Sequence, residues 1–245
     1  MEELDALAAQ QAELTALLDG LDDDGWRRPT RCEGWDVADV VLHLAQTNEM
    51  AIRSATDRFA DATAELARGL PPTFDVDAGA AAMVERDRNA SLDDIRQRYD
   101  RSARTMREAL AARDPRDRVD WVAGQLTVRT LSTTRLAETW IHTGDVAVAL
   151  GRPIEPSDRL HLIARLAWRT LPYAFQRAGR TLTGPVAFEL DGCSLTPDQP
   201  AVTTITGSVL DLCLVAGRRA DPRDTGLRGT GPDVDAVLEL VRTYA

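Results

Sequence analysis

Glu138 and His142 stand four residues apart in the helix-like segment Thr134-Arg135-Leu136-Ala137-Glu138-Thr139-Trp140-Ile141-His142-Thr143-Gly144-Asp145. That spacing puts two metal-binding side chains on one helix face. A third candidate, His43, interrupts the apolar stripe Val37-Ala38-Asp39-Val40-Val41-Leu42-His43-Leu44. Two imidazoles and a carboxylate suit zinc or another divalent first-row ion, and three protein ligands leave positions for water or substrate. The plain alternative pairs Glu138 with Arg135 or another arginine and makes each histidine a hydrogen-bonded core residue. The remaining histidine, His161, lies beside Arg159 and Leu160 in a later helix and reads as a surface or interdomain residue. Serine-triad hydrolysis lacks a G-x-S-x-G turn, and no glycine-rich phosphate loop occurs.

Several elements must position these residues. Apolar positions at Leu4, Leu7, Leu14, Leu17, Leu18 and Leu21 predict a first amphipathic helix. Asp36, with Asp39 in the first turn, predicts the start of a second helix running from 37 to about 66. Gly69-Leu70-Pro71-Pro72 ends it, and residues 73–79 form a loop anchored by Phe74. A third helical region spans 80–113 with a kink or cap near Asn89-Ala90-Ser91, and a fourth runs from 128 or 131 to 150. A Trp-bearing loop, 119–124, lies between them. Four long helices imply an up-down bundle whose sites are built from inward-facing residues of neighbouring helices.

Beyond Pro156 the pattern changes. A helix over 157–178 precedes strand-like runs at 185–190 and 201–206, a short helix at 208–216, a short strand at 226–230 and a terminal helix at 233–244. The expected architecture is α+β, a bundle over 1–153 followed by a small α+β domain over 154–245.

Composition narrows the partners. A net charge of −10 opposes nucleic-acid phosphate and anionic lipid, while leaving room for a small neutral or anionic substrate. No stretch of roughly 18 apolar residues predicts a membrane span, and the acidic N-terminus is unlike a signal peptide, so the expected location is the cytoplasm. All 29 basic residues are arginine, which excludes a lysine Schiff base. Cys32, Cys193 and Cys213 form no C-x-x-C pair and read as buried or bystander thiols.

Two stretches carry a family resemblance. Residues 31–45, with Gly34-Trp35-Asp36-Val37, Asp39 and His43-Leu44, resemble the G-W-x-V-x-D-x-x-x-H-L signature of the mycothiol-dependent maleylpyruvate isomerase N-terminal domain family, within the DinB-like metal-binding superfamily. Glu138, His142 and Asp145 resemble its second signature, E-x-x-x-H-x-x-D. The resemblance implies a DinB-like bundle and a metal, zinc first and otherwise nickel, iron or manganese, held by His43, Glu138 and His142. It is closest to an actinobacterial subgroup. It also implies a low-molecular-weight thiol such as mycothiol as co-substrate, used to isomerise a small electrophile or to transfer sulfur to it.

Ser208 to Arg219 resembles a C-terminal helix of these proteins ending in Gly-Arg-Arg, where an arginine is implicated in catalysis; Arg218 or Arg219 would then hold a substrate carboxylate. The alternative for both is a solvated basic helix end favoured by the helix dipole. Two other functional classes stay open: a hydrolase that activates water with Asp145 or Asp39 as base, and a binding protein without turnover. Monomer and homodimer are both compatible with the sequence.

Overall fold

The computed structural model describes residues 1–66, 76–122 and 124–243. The expected break at 69–72 and the Phe74 anchor lie outside the described residues. The chain divides into two compact units, Met1–Ile154 and Glu155–Ala245.

The first unit contains α1 (Glu2–Leu18), α2 (Asp23–Trp26), α3 (Val37–Ala55), α4 (Phe59–Leu66), α5 (Val76–Asp87), α6 (Leu92–Ala111), β1 (Arg118–Trp121), β2 (Gly124–Thr127) and α7 (Val128–Ala149). Helix α3 packs on α6 and α7, and α1 packs on the same two helices, which places α3 and α7 side by side in the interior. Val37, Val40, Val41, Leu42 and Leu44 of α3 are wholly buried together with Leu14, Ile95 and Tyr99 from its neighbours.

Helix α3 begins at Asp36, whose side chain accepts from the Asp39 amide at 2.9 Å while the Asp39 carboxylate accepts from the Asp36 amide at 3.2 Å. This reciprocal cap satisfies two amide donors at the helix start. Arg88 also pairs with Asp39. Asp36→Ala is expected to lower stability by ~1 kcal/mol, read by chemical denaturation, because it orphans the Asp39 amide at the start of the helix that carries His43.

Helix α7 tolerates polar side chains because much of their bonding is internal. Ser132, Thr133, Thr134, Thr139 and Thr143 each donate a hydroxyl to the carbonyl four residues earlier, at 2.7 to 3.0 Å. A helix buried nearly all round can therefore hold hydroxyls without unpaired donors.

The expected helix over 37–66 is two helices. Asp57 takes φ 57°, a left-handed conformation that ends α3, and Arg113 reaches the Ala55 carbonyl at 3.0 Å and the Asp57 carboxylate at 2.8 Å. The expected region over 80–113 is likewise α5 and α6, with Ser91 capping α6 through the Asp94 amide at 3.1 Å. The Trp-bearing loop is part of an antiparallel hairpin, in which Trp121 pairs with Gly124 and Arg118 with Thr127.

The second unit contains α8 (Leu160–Arg177), β3 (Val186–Leu190), β4 (Cys193–Leu195), β5 (Thr203–Gly207), α9 (Val209–Ala216), a 3-10 turn at Pro222–Asp224, β6 (Arg228–Thr230) and α10 (Val234–Leu240). The sheet order is β4-β3-β5-β6, with β3 parallel to β5 and the outer pairs antiparallel. Gly231, at φ 108°, follows β6 where a Cβ would collide with the Val202 carbonyl. The architecture is α+β. Among the described residues no helix is long and apolar enough to cross a membrane.

Candidate metal centre

His43 projects from α3, and Glu138 and His142 project one turn apart from α7. The structure brings all three together. His43 Nε2 lies 2.8 Å from Glu138 Oε1, and His142 Nε2 lies 3.7 Å from the same oxygen. One ligand atom from each residue falls within 4.8 Å of the others, and all three side chains are buried. The two imidazole rings meet edge to face at 5.0 Å, and the Trp35 ring covers His43 at 5.1 Å. Arg135 is not the partner of Glu138; its guanidinium bonds Thr47 Oγ1 at 2.8 Å and Asn48 Oδ1 at 3.3 Å.

The remaining nitrogens differ. His142 Nδ1 donates to Asp145 Oδ2 at 3.0 Å, which orients Nε2 toward Glu138. Cys32 donates its thiol hydrogen to the same Asp145 oxygen at 3.3 Å, and Arg31 Nε lies 3.7 Å from Asp145 Oδ1. His43 Nδ1 is buried with no hydrogen-bond partner among the described residues. The nitrogen and oxygen donors fit a divalent first-row ion, and the carboxylate behind His142 is the support that metal-bound imidazoles commonly have.

Burial pulls the His43 pKa below its ordinary value despite the bond to Glu138, so the ring is neutral and able to act as a ligand. Burial opposes ionisation of Glu138 too, but bonds from His142 and His43 and the Arg135 charge outweigh it and hold the carboxyl well below its usual range. For His142 burial is overcome by Asp145, Cys32 and Glu138, which raise the imidazole well above its usual value. The metal-free centre is therefore an anion beside an imidazolium, and an arriving cation replaces the proton.

A raised folded pKa adds stability that is complete below the unfolded value of about 6.5 and is lost as pH rises through the folded one. Urea unfolding of chelator-treated protein is expected to show the advantage of wild type over His142→Gln shrinking as pH rises above about 6.5 and through the raised folded value of His142. An advantage unchanged across that range would contradict the charge assigned to His142.

The sequence treated Cys32 as a bystander thiol, yet it belongs to a second group of metal-capable side chains, Cys32, His142 and Asp145. Its only signal was its place in the loop that leads into α3. Asp145 serves the far nitrogen of His142, and Asp39 bonds within the α3 cap and to Arg88. Cys193 and Cys213 are buried, and burial pushes both thiols up. His161 joins no metal-capable group among the described residues, and its Nδ1 meets the Asp158 carbonyl.

Arg218 and Arg219 belong to the second unit, just past the Gly217 cap of α9. Arg218 takes φ 59°, and Arg219 Nη1 donates to the Gly217 carbonyl at 3.1 Å. With Asp221, Glu239 and Arg242 they line a cavity of about 550 Å³.

Residues 7–147 match the model of the mycothiol maleylpyruvate isomerase N-terminal domain. Two curated proteins of Mycobacterium tuberculosis, from strains CDC 1551 / Oshkosh and ATCC 25618 / H37Rv and both called uncharacterized, are 31% identical over 244 residues, covering 98% of this chain and 93% of theirs. Among solved structures, the crystal structure of the mycothiol-dependent maleylpyruvate isomerase aligns with a TM-score of 0.64 and 16% identity, over 94% of this chain and 92% of that one. A histidine-to-alanine mutant of that isomerase aligns over the same shares with a TM-score of 0.62. The two solved structures share the fold of this chain. The match over most of the first unit and the full-length relatives lead to one conclusion: the chain belongs to the mycothiol maleylpyruvate isomerase N-terminal domain family.

Proposed function

We propose that this chain is a metal-dependent enzyme that uses a low-molecular-weight thiol of the mycothiol type to isomerise, or to transfer sulfur to, a small unsaturated acid. The observation that carries the reading is the convergence of His43, Glu138 and His142 in a member of this family. A divalent ion held there, zinc first among the candidates, supplies positive charge that favours a thiolate at neutral pH.

The chain's own groups do the rest. Glu138 and His43 face each other across α3 and α7, and Asp145 holds the His142 ring by Nδ1. Trp35 shields His43 on one side. Arg218 or Arg219 pairs with a substrate carboxylate, a role that planar guanidinium performs through two parallel bonds. The thiol loses its proton to solvent, and its sulfur forms a C–S bond at the electrophilic carbon as the C=C π pair moves onto the conjugated carbonyl to give an enolate. Rotation about the former double bond and departure of the sulfur restore the double bond and return the thiol, giving isomerisation. Retention of the C–S bond, with solvent returning a proton to the enolate carbon, gives transfer. No protein nucleophile is needed, consistent with two of the three cysteines being buried.

The test is turnover of maleylpyruvate-like unsaturated keto acids by metal-loaded protein with and without mycothiol, followed by mass spectrometry of products and thiol. Turnover that requires both metal and thiol is expected, with thiol recovered for isomerisation and found in an adduct for transfer. Equal turnover without thiol would replace this reading with hydrolysis, and bound metal with no turnover across the panel would replace it with a binding protein.

A further inference from the structure

One turn from the metal-binding residues, the interior holds a charge that they do not use. Arg135 is only 1% exposed, and so are Asn48 on α3 and Tyr99 on α6. Its guanidinium bonds two neutral oxygens, Thr47 Oγ1 and Asn48 Oδ1, and makes no ion pair among the described residues. Glu138 is the carboxylate whose charge acts on Arg135, but its bonding is to His43 and His142. A dication at those three residues would consume that negative charge and leave Arg135 without a counterion. A fully buried, unpaired cation is among the costliest groups a protein interior can hold.

Its surroundings are rich in donors. Arg135 Nε, Asn48 Nδ2 and the Tyr99 hydroxyl are all buried and have no hydrogen-bond partner among the described residues. Arg135 and Asn48 are in contact, and Tyr99 interacts electrostatically with Arg135. Burial pushes the Tyr99 phenol up, so its proton stays available for donation. Burial also pulls Arg135 down from its usual value, but a guanidinium keeps its charge in proteins. Water satisfies such a place poorly, because it accepts about two bonds and must place two hydrogens of its own. A bare anion accepts from every donor and also neutralises the charge.

We propose that Arg135, Asn48 and Tyr99 form an internal binding site for a small monoatomic anion of the halide class, enclosed between α3, α6 and α7. Thiol chemistry plays no part in this site, but its need for an anion rests on the dication of the proposed function, so the protein tested is first shown by elemental mass spectrometry to carry about one metal per chain.

The test uses the full chain and bromide. Crystals soaked in sodium bromide are measured at the bromine edge, and thermal unfolding is compared in sodium bromide and in sodium gluconate at equal ionic strength, since gluconate is too large to enter. Wild type is expected to show an anomalous peak beside Arg135 and a bromide-specific rise in Tm of roughly 2–4 °C. Because Arg135→Met may fail to fold, the deciding variant is Asn48→Asp, which supplies a tethered carboxylate in place of the ion. It is expected to fold and to lose both signals. A wild type with no peak or no bromide-specific rise, or an Asn48→Asp protein that keeps either signal, overturns the site.

Discussion

His43→Ala, Glu138→Ala and His142→Ala are each expected to reduce metal from about one ion per chain to a small fraction of that, measured by elemental mass spectrometry after purification. Each substitution removes one of three donors from two different helices. The expected loss of affinity exceeds 100-fold, above the ~10–100-fold typical when only a supporting group is removed. The helical signal should persist, because Leu14, Val37, Val41, Leu44, Ile95 and Tyr99 provide an apolar core apart from the three ligands. Global unfolding of His43→Ala would instead make the His43–Glu138 contact structural, and metal retained in all three variants would remove the proposed centre.

Asp145→Ala should weaken metal binding by ~10–100-fold without changing any ligand. Asp145 is fully buried and holds His142 Nδ1 at 3.0 Å through Oδ2, the oxygen that also accepts from Cys32, while Arg31 Nε lies 3.7 Å from Oδ1. Without it His142 can rotate or place its proton on Nε2, where the lone pair is needed. Asp145→Asn separates two effects: its amide oxygen can still accept from Nδ1, so the ring stays oriented, but the negative charge is gone. Metal titration at fixed pH should rank wild type above Asp145→Asn, and Asp145→Asn above Asp145→Ala. If Asp145→Ala binds metal as tightly as wild type, Asp145 does not support His142.

Much of this was readable from local patterns. The spacing of Glu138 and His142 on one helix face, the apolar stripe around His43, the Asp36 cap and the Ser91 cap all depend on residues within one or two turns. Such relations survive in a linear sequence because helix geometry relates neighbours at fixed separations. The change in pattern beyond Pro156 was legible for the same reason, as strand-like runs replaced helical ones.

What the sequence by itself determined was therefore the candidate ligand residues, the helices that carry them and the family to which they point. Tertiary structure alone decided that Cys32 meets Asp145 across 113 positions of chain, that Arg135 turns to Thr47 and Asn48 rather than to Glu138, and that Arg113 reaches the carbonyl end of α3 beside the break at Asp57. It also decided the hairpin at 118–127, whose strands are four residues each. These features depend on which distant side chain arrives first at an unsatisfied donor or charge. A buried polar group takes whatever partner the packing of α3 against α6 and α7 leaves within about 3 Å, and sequence spacing holds no record of that distance.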